Sequence, residues 1–92
     1  MYFKQLRKTI KEHSTWNYKN KVTKMEEFQI PPSTIIINKD TDNQEIYSHV
    51  DGINLFKRGY LLIRSGENRD IDSTSVDFRY IETLEIIPET DN

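Results

Sequence analysis

The spacing of apolar residues changes period once along the chain. Near the N-terminus Phe3, Leu6 and Ile10 recur at i, i+3 and i+7, within about 60° of one another around a helix. This predicts an amphipathic helix over residues 1–13, with Lys4, Arg7, Lys8 and Lys11 as a second stripe roughly 125° away. The helix is expected to stop there, because Ser14, Thr15 and Asn17 compete for backbone hydrogen bonds and form helix poorly. Residues 14–32 read as a connecting segment of mixed character. Trp16, Tyr18, Val22, Phe28 and Ile30 all stand on even positions, as in a strand. Asn20, Lys24 and Glu26 interrupt that alternation, and a short helix over Lys21–Phe28 would serve the same residues. Pro31 and Pro32 are expected to close the segment, since proline donates no ladder hydrogen bond and pushes the preceding residue out of the helical region.

After the prolines the pattern is that of a β-rich body over residues 33–88. Thr34 to Asn38 is a β-branched run, and Lys39 to Asn43 has turn chemistry. Glu45 to Val50 alternates, and Asp51-Gly52 marks a turn or bulge. Leu55-Phe56, Lys57-Arg58-Gly59 and Tyr60 to Arg64 read as strand, tight turn, strand. Ser65 to Ser75 reads as a polar loop. Val76 to Tyr80 and Thr83 to Ile87 are predicted as two strands joined at Ile81-Glu82, and residues 89–92 as a fraying acidic tail.

The fold class that follows is α+β, in a single domain over residues 1–92. An N-terminal amphipathic helix precedes about five short antiparallel strands that form a small barrel or a bent sheet. Over residues 34–87 the strand pattern, with its closing corner near Ile81, resembles that of SH3-like and Sm-like barrels. The likeness is one of fold pattern. Asp51 and Asn54 are similar to the Asp and Asn of the first Sm motif but stand one residue too close, and no Arg-Gly pair lies near Ile81.

Charge adds what periodicity cannot. The 92 residues carry a net charge of only −2. Residues 1–25 nevertheless hold seven Lys/Arg against the single acid Glu12, while residues 26–92 hold six against fourteen Asp/Glu. Such asymmetry points to an interaction segment, or to a basic element docked on its own acidic body. Twelve Ile, eight Lys and seven Asn beside no Ala is the skew of an AT-rich genome, such as that of a low-GC bacterium or its phage. Without cysteine there is no disulfide framework and no thiolate metal site. No apolar run exceeds four residues, which is too short for a transmembrane helix. Lys4, Arg7 and Lys8 break up any signal-peptide core, so a cytoplasmic location is expected.

Candidate chemistry is sparse. Ser48, His49 and Asp51 are the residue types of a hydrolase triad, but strand neighbours point to opposite faces and Ser48 cannot reach His49. His49 and Asp51 share a face and read more simply as a polar pair. Asn38, Asp40 and Asp42 begin like a calcium loop, yet the sixth and twelfth positions are Asn43 and His49 instead of Gly and Glu. Asp70 and Asp72 fail in the same way. Gly52, Gly59 and Gly66 each sit in a separate turn, so no phosphate loop is built. No enzyme, metal or cofactor is expected.

What remains are two surfaces. Lys4, Arg7, Lys8 and Lys11 form one, extended by Lys19, Lys21 and Lys24 near Trp16 and Tyr18. Lys57 and Arg58, flanked by Phe56 and Tyr60, form the other at a hairpin tip. Cations interleaved with aromatics suit an acidic protein partner, where charge steers encounter and aromatic side chains anchor it. They equally suit a phosphate backbone with stacked bases. The plainer accounts are a solvated helix face and a tip that discourages edge pairing. The expectation taken forward is a protein-binding module, such as a phage or mobile-element inhibitor of a host defence protein, including the anti-CRISPR type. A nucleic-acid-binding barrel that oligomerises through its edge strands is the alternative, and a membrane role is not expected.

Overall fold

The computed structural model describes residues 1–40, 42–65 and 73–89. Helix α1 spans Phe3–His13. Six strands follow: β1 (Trp16–Asn20), β2 (Met25–Lys39), β3 (Gln44–Phe56), β4 (Tyr60–Ser65), β5 (Ser73–Asp77) and β6 (Ile81–Pro88). All pairings are antiparallel. The strands run β1-β2-β3-β4-β5 across one sheet, and β6 returns to β2. No pairing among the described residues closes β5 onto β6 or β1, so the sheet is open.

The period-3.6 reading of the N-terminus holds. Leu6 and Ile10 are fully buried against the sheet, and α1 ends where Ser14 turns extended and its hydroxyl and N–H both bond the Lys11 carbonyl. The ambiguous segment resolves into a hairpin, with no helix over Lys21–Phe28. Its register pairs Trp16 with Gln29 and Asn20 with Met25. Even positions of β1 therefore oppose odd positions of β2. Trp16 and Tyr18 point outward while Phe28 and Ile30 point into the core, although all four stand on even positions.

Pro31 and Pro32 do not end the strand. β2 runs through them because they fall in a gap of both ladders: β1 pairs only as far as Gln29, β6 begins at Ser33, and the β3 register shifts between those two residues. A proline without an N–H is tolerated where no partner waits for one. Asp51-Gly52 is likewise a bulge inside β3, not a break. A second irregularity falls at Ser48-His49, where His49 takes φ 58. Bulges of this kind bend a strand and raise its twist.

The strand count is six where about five were expected, since residues 16–30 supply β1 and the first half of β2. The final corner also moves. It is a 3₁₀ turn at Phe78–Tyr80, where the Asp77 carboxylate accepts from the Arg79 N–H at 2.9 Å, and β6 already begins at Ile81. The expected polar loop ends by Ser73, the first residue of β5; its remaining residues 66–72 lie outside the described residues, as do Asp70, Asp72 and the tail over 90–92. One core gathers α1 and the inner face of the sheet: Leu6, Ile10, Phe28, Ile35, Ile37, Ile53, Leu55 and Leu61 are at most 1% exposed. Among the described residues no helix is long and apolar enough to cross a membrane.

Midway along β2, beside the Ser48-His49 irregularity of β3, Glu89 clasps these two strands. Its carboxylate accepts from the Thr34 hydroxyl at 2.8 Å and the His49 N–H at 3.1 Å, and His49 Nδ1 lies 3.0 Å away. The expected partner of His49 was Asp51, but the bulge turns its backbone toward Glu89 instead. Hydrogen bonds from Thr34 and from the His49 N–H hold the Glu89 carboxyl below the usual range, and the Arg79 guanidinium holds Asp77 down to about 2. Both values lie below those of the unfolded chain. The stabilisation they carry is therefore present above about pH 4 and is lost as pH falls toward 2. Urea midpoints measured at pH 7, 4 and 3 are expected to fall in that order, and Glu89→Gln to flatten the fall; an unchanged slope would mean that the clasp carries no stability.

Candidate functional site

The last cross-strand row at one end of the sheet is Asn20, Met25, Phe56, Tyr60 and Asp77. Two turns leave the sheet from this row. In the first, residues 21–24, the Asn20 side chain accepts from the N–H groups of Val22 (3.0 Å) and Thr23 (3.1 Å), and Lys24 closes the turn at φ 55. An asparagine is well suited to organise a turn in this way. In the second, Lys57-Arg58-Gly59, the Gly59 N–H bonds the Phe56 carbonyl at 3.1 Å with Gly59 at φ 142, a conformation that side-chain-bearing residues rarely adopt. The Lys57 N–H donates to the Lys24 carbonyl at 3.1 Å and ties the two turns together. Lysines that stand 33 positions apart are thus held side by side.

Between these turns and α1 lies a groove of about 290 Å³. Phe3, Met25 and Leu55 supply its apolar lining, and Arg7, Lys19, Lys21, Lys24 and Lys57 its cations. Glu26 is its only acid among the described residues, and that charge is already committed. It is 5% exposed and accepts from Arg7 at 2.6 and 3.2 Å and from the Asn17 amide at 2.5 Å. Of the two ways to read the basic N-terminus, docking on the chain's own acids accounts for Arg7 alone. Lys4, Lys8, Lys11, Lys19, Lys21, Lys24, Lys57 and Arg58 are exposed, and among the described residues none of them has an ion-pair partner. Lys4, moreover, stands in the first turn of α1, where the helix dipole disfavours a cation.

The expected site residues therefore divide into four groups. Lys4, Lys8 and Lys11 stay together on the outward face of α1, around a shallow depression shared with Arg7 and Glu12. Arg7 is turned from that stripe toward Glu26, so it serves as a tie between α1 and β2. Lys57 joins the groove, with Arg58 beside it at the tip. The aromatics form two stacked pairs on the outward sheet face. Trp16 and Tyr18 have ring centres 6.4 Å apart and are 47% and 53% exposed; Phe56 and Tyr60, 4.4 Å apart, are half-buried. Arg64 does not join the cationic end, since it lies over Gly52 at 3.4 Å from Glu27; Arg79 lies beside Gly59 of the second turn, but its charge is paired with Asp77.

No protein-family model matches this chain, and no curated protein or solved structure matches it either. The site is read from its own geometry.

Sequence reasoning missed Met25, Leu55 and Glu26 as parts of the groove. Their signal was long-range. Glu26 reads as an interruption of strand alternation because its partner Arg7 lies on another element, and Met25 carries no local signal because its place depends on the hairpin register. Tyr47, also unassigned from sequence, is half-buried at the core margin and bonds Glu45 at 2.9 Å. Burial and the neighbouring carboxylate push its phenol up to about 12.

Proposed function

We propose that this protein is a non-enzymatic binding module that docks its cationic end onto an acidic surface of a protein partner and occludes it. The observation that carries the reading is the convergence of the two lysine-bearing turns and α1 on one groove. Lys19, Lys21, Lys24 and Lys57 line that groove, and neither they nor Lys4, Lys8 and Lys11 on the outward face of α1 and Arg58 at the hairpin tip have an ion-pair partner among the described residues, so their charge is available to an outside surface. Charge of one sign at one end steers encounter and fixes orientation, while Trp16, Tyr18, Phe56 and Tyr60 supply the aromatic anchors that carry most binding energy. The small size and AT-rich composition support placing the module in the cytoplasm of a low-GC bacterium, as a phage or mobile-element inhibitor of a host defence protein.

We further propose that the body is a small SH3-like barrel. The support is topological: β6 follows a 3₁₀ turn and pairs with β2, the long strand that also carries β1 and β3.

Binding of single-stranded nucleic acid, with oligomerisation through the open edges, is the second reading. The exposed Trp16–Tyr18 stack beside Lys19 favours it, since bases stack on such platforms. Fluorescence anisotropy with a labelled single-stranded DNA separates the two. The first reading expects affinity no better than the non-specific range, roughly 10⁻⁴–10⁻⁶ M at physiological salt. Sub-micromolar binding that weakens steeply with salt would transfer the function to the second.

A further inference from the structure

Resting on the protein-binding reading, we infer that the groove between α1 and the two turns takes a single large apolar side chain from an acidic, extended segment of the partner. The floor and the rim have different chemistry. Its apolar lining is the half-buried Phe3 and Met25 with Leu55, itself 1% exposed, and its lysines, Lys19, Lys21, Lys24 and Lys57, are all exposed. At about 290 Å³ the space lies at the lower limit of small-molecule sites, which run from ~300 to ~1,000 Å³, and suits one side chain better than a cofactor.

A phosphate chain would satisfy the rim but leave the floor wet. An apolar helix would fill the floor but leave the lysines without counter-charges. A peptide with one leucine or phenylalanine between aspartates and glutamates satisfies both at once. Glu26 does not repel it, because that carboxylate is held by Arg7 and Asn17. The hydrogen bond from the Lys57 N–H to the Lys24 carbonyl fixes the two backbones side by side, so the turns that carry these lysines are preorganised.

The test uses the whole protein and three fluorescein-labelled probes: a twelve-residue Asp/Glu peptide with a central leucine, the same peptide with a central serine, and a twelve-nucleotide oligothymidylate. The leucine peptide is expected to bind about tenfold or more tighter than the serine peptide, as burial of one leucine side chain implies. Met25→Gln, which changes the half-buried floor and keeps every charge, is expected to shrink that advantage below about threefold. Equal affinity for the two peptides, no binding of either, or a preference for the oligonucleotide would overturn the anchor inference. The double variant Lys24→Glu/Lys57→Glu separates the layers. If equal binding of both peptides is lost in it, only the anchor fails; if binding is unmoved, the protein-docking reading fails with it.

Discussion

Replacing Glu26 with alanine is expected to lower folding stability by about 3 kcal/mol, at the lower edge of the range for breaking a buried ion pair. Its carboxylate is 5% exposed and holds three hydrogen bonds from two other elements, α1 and β1. Removing it leaves the Arg7 guanidinium facing the groove without its counter-charge and the Asn17 amide without its acceptor. For a chain of this length the thermal midpoint should drop by roughly 10–20 °C. The double variant Arg7→Met/Glu26→Leu should recover most of that loss, because it removes both charges and keeps the volume. A midpoint shift of only a few degrees in Glu26→Ala would mean that the pair does not fasten the helix. Arg7 would then be as available to a partner as Lys4 and Lys8.

Reversing Lys21, Lys24 and Lys57 together to glutamate is expected to weaken partner binding by roughly a hundredfold or more, since like charges placed across an interface cost several kcal/mol. Folding should barely change. The three side chains are exposed and have no ion-pair partner among the described residues, and surface substitutions of this kind usually stay within about 0.5 kcal/mol. The Lys57–Lys24 backbone hydrogen bond survives the substitution. Thermal unfolding of the triple variant beside the parent checks this. A large loss of stability would show that the lysines serve the fold, and the binding result could not then be read as recognition.

The sequence was informative wherever a single element explains its own pattern. The Phe3, Leu6 and Ile10 stripe set the buried face of α1, and the β-branched run from Thr34 to Asn38 set a strand. Misreadings arose wherever a residue's role depends on a distant partner. Trp16 and Phe28 share parity and seemed to share a face, but a hairpin register that pairs position 16 with 29 puts them on opposite sides. The prolines looked like a terminus because their missing N–H groups matter only if a neighbour needs them, and here one edge partner stops just before them and the next starts just after. The candidate site followed the same logic. Its lysines were evident as a cluster near the N-terminus and a separate pair at a hairpin tip. That the two form one groove depends on Met25 pairing with Phe56, which no local pattern encodes.

The measurement that bears most directly on the central claim is a tagged pull-down from low-GC bacterial lysate, with and without nuclease treatment, run in parallel with the parent protein and the Lys21→Glu/Lys24→Glu/Lys57→Glu variant, with bound material quantified by mass spectrometry. The account predicts one protein retained in near-stoichiometric amount by the parent and lost by the variant. Retention that ignores the charge reversal, or bound material that disappears on nuclease treatment alone, would contradict it.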